Sequence, residues 1–293
     1  MTASYLVGLI GSGIGSSATP ALHEHEADAL GVRYLYRTID IDRLGRSADD
    51  AAELVRAARE LGFDALNITH PCKQTVLRGL DDLSPDARLL GAVNTVLFRD
   101  GRSLGLNTDH SGFAAGLRDG LRDPALDAVV LLGSGGAGSA IAYALLTAGV
   151  AKLSVFDPIV ERAEAARDGL SPHFPRARVD AIGPAQLPAA VAAADGLVNA
   201  TPIGMVGHPG TPLDVALLHD RLWVADAVYR PLRTELIEAA ADLGCAVLDG
   251  GRMVVGQSAD TFRLITGLEP DRARMRAHFL SLTGATETQA VAR

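Results

Sequence analysis

The sequence predicts an α/β protein of two domains, on three observations. Short apolar runs alternate with helically spaced stretches along most of the chain, the mark of a mostly parallel sheet covered by helices. A glycine loop, Gly133-Ser134-Gly135-Gly136-Ala137-Gly138, opens a second and cleaner run of that alternation. At 293 residues the chain is long for one core and comfortable for two of ordinary size. With 48% hydrophobic but only 4% aromatic residues, the cores must be aliphatic, as buried parallel strands tend to be.

The elements follow in order. Tyr5–Ile10 is an apolar run ending in the turn-rich cluster Gly11 to Ser17, a strand and then a loop. Pro20 opens a helix to about Leu30, and Tyr34–Ile41 alternates as a second strand. Ala48–Leu61 has helical spacing through Ala52, Val55, Ala58 and Leu61. Ala65–Ile68 and Val93–Phe98 are further strands, the latter turning at Asp100-Gly101 into Leu104–Leu106. A helix from Asp109 to about Arg122 leads into the second domain. There, strand Ala128–Leu132 precedes the glycine loop, a helix runs to about Ala148, and Lys152–Phe156 is the next strand. Leu197–Asn199, Trp223–Asp226 and Ala246–Leu248 are later apolar runs. The chain then returns through Gly250-Gly251-Arg252-Met253 to helices at about Gly256–Thr266 and Pro270–Leu282, expected to pack on the first domain. From Thr283 the composition reads as a frayed tail.

Bulk properties exclude several function classes. A formal net charge of −8 gives no electrostatic case for nucleic acid or an anionic membrane as partner. Cys72 and Cys245 are too few for a disulfide framework and suit a reducing compartment. The N-terminus lacks the pattern of a signal peptide, and no run of about 18 apolar residues occurs, so the cytoplasm is the expected location. There is no fixed-period repeat.

The glycine loop follows a strand, opens a helix, and is followed by Asp157, 19 residues after Gly138 at the end of the next strand. That context is the one a Rossmann-type dinucleotide site needs. Gly133 permits the tight turn, Gly135 lets the backbone approach a pyrophosphate, and Gly138 allows close helix packing. The helix N-terminus supplies N–H donors and a favourable dipole. Asp157 can accept hydrogen bonds from both adenosine ribose hydroxyls but would repel a 2′-phosphate, so NAD is favoured over NADP. Arg162, five residues on, is either a solvated helix residue or the one feature suited to that phosphate.

Two polar cassettes precede this loop: Asn67-Ile68-Thr69-His70-Pro71-Cys72-Lys73 and Gly105-Leu106-Asn107-Thr108-Asp109. A lysine beside a carboxylate can share a proton as a hydride leaves a secondary alcohol, provided desolvation or a second cation lowers its pKa. Taken singly, Lys73 reads as a surface residue and Asp109 as a helix cap. His23 and His25 fit no closed metal set, being two apart on a helix and facing different ways. His70 is a candidate for the wall of the site. Cys72 has no partner base and reads as packing.

Other segments sharpen the picture: Ser17-Ala18-Thr19-Pro20, Gly91-Ala92-Val93-Asn94-Thr95, Asn199-Ala200-Thr201-Pro202-Ile203-Gly204-Met205, Asp226-Ala227-Val228-Tyr229-Arg230-Pro231 and Gly251-Arg252-Met253-Val254-Val255-Gly256-Gln257. Together with the two cassettes and the glycine loop, in this order and over nearly the whole chain, they resemble the shikimate dehydrogenase family. Within it, they look most like the NAD-dependent quinate/shikimate dehydrogenase branch.

The resemblance implies roles residue by residue. Lys73 and Asp109 would be the catalytic pair. Ser17 and Thr19 would bind the substrate carboxylate, and Thr69, Lys73, Asn94, Asp109 and Gln257 the ring hydroxyls. Such a site strongly rejects analogues that lack those hydroxyls. Asn67 would bond either backbone or substrate, and Tyr229 would reach the carboxylate or line the site. The cofactor residues would be Gly133, Ser134, Gly135, Gly136, Ala137 and Gly138, with Asp157, Arg162, Asn199, Thr201, Met205 against the nicotinamide face, and Gly250. Met253 reads as an apolar wall near the domain junction.

Thr19 stands where the shikimate-specific branch usually has serine, and Asp157-Pro158 where that branch commonly has Asn-Arg-Thr-like residues. Both departures resemble enzymes that use NAD and accept quinate as well as shikimate. The implied architecture is a substrate domain over residues 1–107, completed by 251–293, and a Rossmann-type NAD domain over 108–250, with the active site in the groove between them. The partner expected is a small cyclic polyol carboxylate, with no metal, nucleic acid or membrane, in a monomer or homodimer. The alternatives are a biosynthetic NADP-dependent shikimate dehydrogenase, a relative acting on an amino analogue of shikimate, and a dinucleotide-binding regulatory protein without chemistry.

Overall fold

The computed structural model of the chain describes residues 3–285. They divide into two compact units, one comprising the chain up to Thr108 together with Gln257–Gly284, the other Asp109–Gly256.

In the first unit β1 (Ser4–Gly11) is followed by α1 (Thr19–Ala29), β2 (Arg33–Asp40), α2 (Ala51–Glu60) and β3 (Ala65–Ile68). Next come β4 (Asp82–Leu83), α3 (Pro85–Leu90), β5 (Thr95–Arg99) and β6 (Arg102–Leu106). The sheet order is β2-β1-β3-β5-β6-β4. It is mostly parallel, as expected, with β5 alone reversed: β5 runs antiparallel to β3 and to its hairpin partner β6. The hairpin turns at Asp100 and Gly101, both with positive φ (52° and 74°), the geometry that matches strand twist. Strand alternation sorts the core into two layers. Ile10, Leu66, Ile68 and Val96 pack with Val55 and Ala58 of α2. Val7, Leu9, Ala65 and Leu97 face Tyr34, Tyr36 and Phe262 instead.

The second unit begins with α4 (Asp109–Gly120), β7 (Ala128–Leu132), α5 (Gly136–Thr147) and β8 (Lys152–Phe156). It continues through α6 (Val160–Leu170), β9 (Arg178–Ile182), α7 (Leu187–Ala192) and β10 (Gly196–Asn199), then β11 (Trp223–Asp226), α8 (Glu235–Asp242) and β12 (Ala246–Leu248). Its strands run in the order β12-β11-β10-β7-β8-β9, all parallel. That is the doubly wound dinucleotide-binding order, whose switch point lies between β7 and β10. Val129 and Leu131 pack on one face with Phe113 of α4 and Ile141 of α5. Val130 and Leu132 pack on the other with Leu236 and Ile237 of α8.

α9 (Gly250–Thr266) crosses the division at Gly256/Gln257, and α10 (Arg272–Thr283) follows. Buried Glu26 of α1 accepts Arg274 Nη2–H at 2.6 Å and Nε–H at 2.8 Å, which ties α10 to α1. Periodicity in the sequence predicts no element at β4, α3, α6, β9, α7 or α8. α3 carries a start signal in Ser84-Pro85, since Ser84 Oγ accepts the Ala87 N–H, but six residues are too few to show a period. Most of the tail expected after Thr283 lies outside the described residues.

Candidate active site

In the first unit Thr69, Lys73 and Asn94 lie at one end of the sheet. The C-terminal ends of parallel β1 and β3 lie there, and the hairpin brings the start of β5 and the end of β6 alongside. The backbone records this: Thr69 N–H donates to Ile10 O (2.9 Å), Ser12 N–H to His70 O (3.0 Å), Ile68 N–H to Asn94 O (2.8 Å) and Asn94 N–H to Leu106 O (3.1 Å). Gly11 is needed at this crossing, because a Cβ there would overlap the Thr69 methyl. Val93 N–H donates to Lys73 O at 2.8 Å, so the lysine loop is anchored on the segment entering β5. Ser17 Oγ accepts Thr19 N–H at 3.3 Å, setting the start of α1. Gln257 Nε2 donates to Ser258 Oγ at 2.9 Å. Ser17, Thr19, Thr69, Lys73 and Gln257 are all half-buried.

Asn67 is structural: it is buried, its Oδ1 accepts Tyr36 O–H at 2.6 Å, and its Nδ2 donates to Asn94 O (3.2 Å) and Thr95 Oγ1 (3.3 Å). Asn94 is buried too, and its Oδ1 accepts Thr108 N–H at 2.8 Å. Since a backbone N–H only donates, the amide orientation of Asn94 is settled, with Nδ2 directed at Thr108 Oγ1 (2.9 Å). Thr95, Thr108 and Thr261 complete this cluster. No motif points to these three as a set, because isolated threonines carry no spacing signal.

Asp109 opens α4 in the second unit and is 5% exposed. It follows Thr108 directly in the chain. Around the glycine loop, Gly133 has φ 92° and sits against Ala200 and Thr201, which links the ends of β7 and β10 at the switch point. A Cβ on Gly138 would fall on Gly133 O, whereas one on Gly135 would meet nothing. Two glycines thus serve packing, and the third leaves open space over the first turn of α5, where N–H groups lack intrahelical acceptors. These residues fit a dinucleotide pyrophosphate.

Asp157 is buried at the end of β8. Its Oδ2 accepts Ser134 N–H (2.9 Å) and Oγ–H (3.0 Å), and its Oδ1 accepts Ile159 N–H (2.9 Å). Of about four lone-pair directions on a carboxylate, one remains. Direct acceptance from two ribose hydroxyls therefore requires Ser134 Oγ–H to turn away, a constraint the sequence did not reveal. Arg162 is exposed on α6.

Asn199 has its amide fully engaged, donating to Ile203 O (3.0 Å) and Asp226 Oδ1 (2.9 Å) and accepting Thr201 N–H (2.9 Å) and Oγ–H (2.7 Å). It shapes the loop that carries Thr201 and Met205, the latter 40% exposed. Asp226, at the end of β11, is a hub that the sequence motifs did not single out as a site residue. It accepts Asn199 Nδ2–H (2.9 Å), Val228 N–H (2.9 Å) and Thr234 Oγ–H (2.7 Å). Burial pushes its carboxyl up to about 6, against those hydrogen bonds, which favour the charged form. Its position at a strand end was the available signal. Tyr229 is half-buried, and Gly250 packs so closely on Ala227 O and Val228 O that a Cβ has no room.

His23 is fully buried, with Nδ1 2.9 Å from Tyr34 Oη, and burial lowers its pKa to about 3, so it is a neutral core residue. His25 is exposed and stacks on His278 at 3.9 Å. Cys72 is buried, which pushes its thiol up. Among the described residues, no group of three or more His, Cys, Asp or Glu could hold a metal ion, and no helix is long and apolar enough to cross a membrane.

Comparison with known proteins gives three levels of likeness. The family model for the shikimate dehydrogenase substrate binding domain matches residues 9–96. A shikimate dehydrogenase (NADP(+)) of Pseudarthrobacter chlorophenolicus is 58% identical over 289 residues, covering 99% of both chains. A quinate/shikimate dehydrogenase (NAD(+)) of Corynebacterium efficiens is 52% identical over 283 residues, covering 95% of this chain and 99% of that one. Among solved structures, quinate dehydrogenase from Corynebacterium glutamicum in complex with NAD superposes with a TM-score of 0.90 at 49% identity, covering 96% of this chain and 100% of the other.

Proposed function

This chain belongs to the shikimate dehydrogenase family, and on that premise we propose that it interconverts quinate with 3-dehydroquinate and shikimate with 3-dehydroshikimate, using NAD. One observation carries the chemical reading. The lysine loop and the residue preceding Asp109 are both hydrogen-bonded to the Val93-Asn94 segment, through Lys73 O and Thr108 N–H, each at 2.8 Å. The two polar cassettes thereby share one anchor.

When bound, nicotinamide supplies the acceptor for the electron pair of the C3–H bond. Lys73, assisted by Asp109, takes the proton of the C3 hydroxyl and returns it in the reverse direction. Ser17 and Thr19 hold the carboxylate by hydroxyl donors. Thr69, Asn94 and Gln257 hold ring hydroxyls, and Tyr229 lines the carboxylate end. Gly133 to Gly138 would hold the pyrophosphate, and Thr201, Met205 and Gly250 the nicotinamide end, with Asn199 shaping the loop that carries Thr201 and Met205. Asp157, a carboxylate fixed at the ribose end, supports NAD over NADP. Both cysteines are buried thiols outside any disulfide, which suits the cytoplasm.

A second reading is a biosynthetic NADP-dependent shikimate dehydrogenase, favoured by the NADP in the name of the relative at 58% identity. Arg162 would then face the 2′-phosphate. Steady-state kcat/KM for quinate and shikimate, each with NAD and NADP at neutral and alkaline pH, separates the readings. The expected result is turnover of both polyols with NAD preferred. Preference for NADP would overturn the cofactor assignment, and NAD binding without turnover of any cyclic polyol would point to a regulatory protein.

A further inference from the structure

Beneath the ring-binding residues of the first unit lies a set of buried hydroxyls with no assigned role. Thr95, Thr108 and Thr261 are 0%, 3% and 0% exposed. Thr261 Oγ1, on α9, lies 2.9 Å from Thr108 Oγ1 and 3.1 Å from Thr95 Oγ1. Thr95 Oγ1 is also 3.0 Å from Asn94 Oδ1, and Asn94 Nδ2 is 2.9 Å from Thr108 Oγ1.

Proton counting gives these contacts a direction. A threonine hydroxyl donates once and accepts up to twice. Thr95 already accepts from Asn67 Nδ2 (3.3 Å) and Thr108 from Asn94 Nδ2, and the Asn94 amide is oriented by the Thr108 N–H. These contacts are consistent with a closed ring. Asn94 Nδ2 donates to Thr108, Thr108 to Thr261, Thr261 to Thr95, and Thr95 back to Asn94 Oδ1. Each hydroxyl spends its single proton inside the ring.

We infer that Thr261 is a positioning residue for polyol binding: its hydroxyl buttresses Thr108 and Thr95, the two hydroxyls bonded to Asn94, and so holds in place the amide that the Thr108 N–H orients. The ring also fixes Thr108, and with it the peptide leading into Asp109. The Thr108 N–H orients the amide, and a side chain returned from the C-terminal part of the chain holds the hydroxyls around it. This inference rests on the proposed function, because it concerns how that site grips its substrate.

Without Thr261 Oγ1, Thr108 and Thr95 each lose that hydrogen-bond partner. In T261V the KM for shikimate should rise roughly five- to tenfold, the size of one buried hydrogen bond. kcat and the KM for NAD should stay within about twofold of wild type, and T261S, which keeps the hydroxyl, should restore the polyol KM. A general structural defect would instead move both substrates' KM values and would not be rescued by serine. T95V opens the same ring from the opposite side and should give the same KM change, non-additively with T261V. It also serves as the test should T261V fail to fold. An unchanged polyol KM in T261V or T95V, equal impairment in T261S and T261V, or parallel loss of NAD affinity would overturn the inference. Wild-type protein that turns over neither shikimate nor quinate with either cofactor would sink the functional reading itself. An active wild type with an unaffected T261V would sink only the ring.

Discussion

Replacing Asp226 by asparagine tests whether one buried carboxylate at the end of β11 makes the stability of the second unit depend on pH. The side chain is 3% exposed, and burial pushes its carboxyl from the ordinary 3.8 up to about 6. A raised pKa means the folded state prefers the protonated form. The favourable contribution is complete below the unfolded value and is lost as pH rises through the folded one. At 1.36 kcal/mol per pK unit, the whole loss is about 3 kcal/mol. Titration puts roughly half of it above pH 5, so on the order of 1 kcal/mol should disappear between pH 5 and pH 8. The asparagine in D226N does not titrate, yet its carbonyl can still accept from Asn199 and Val228. The assay is urea unfolding followed by fluorescence of Trp223, the chain's one tryptophan, buried on the same strand. The stability difference, wild type minus D226N, should fall by on the order of 1 kcal/mol from pH 5 to pH 8. A difference flat across that range would refute the reasoning, because the carboxyl would then have the same pKa folded and unfolded.

Three further outcomes are expected. Lys73→Ala should lower turnover by at least ~10²-fold, the low end of acid–base effects, while the Kd for NAD from fluorescence titration barely moves; near-normal turnover would remove the proton-transfer role. Asp157→Ser should relax the preference for NAD over NADP in kcat/KM, and an unchanged ratio would place the discrimination elsewhere. Gly11→Ala forces a methyl against Thr69. It should destabilise the first unit by about 1–3 kcal/mol, read as a lower melting temperature, and an unaltered Tm would show that the two loops part freely.

Much of this protein is written locally. The glycine loop, the apolar strands around it and the acid closing the next strand are contiguous signals, because a phosphate-binding turn needs small residues at fixed offsets whatever surrounds it. Periodicity likewise reveals β1, β3, β7 and β8, whose buried faces leave little freedom of composition. Half-exposed elements such as α3 and β9 escape it, since their outward polar residues interrupt the apolar run. What the tertiary structure alone decided is the company each polar group keeps. The sequence left Asn67 open between backbone and substrate; folding spends it on Tyr36, Asn94 and Thr95. It showed Asp157 as an open acceptor; folding leaves one lone pair. Thr261 lies 153 positions from Thr108, yet their hydroxyls meet. Hydrogen bonds are short-ranged and directional, so which donor meets which acceptor is settled by how strands and returning helices cross, and no local spacing encodes that.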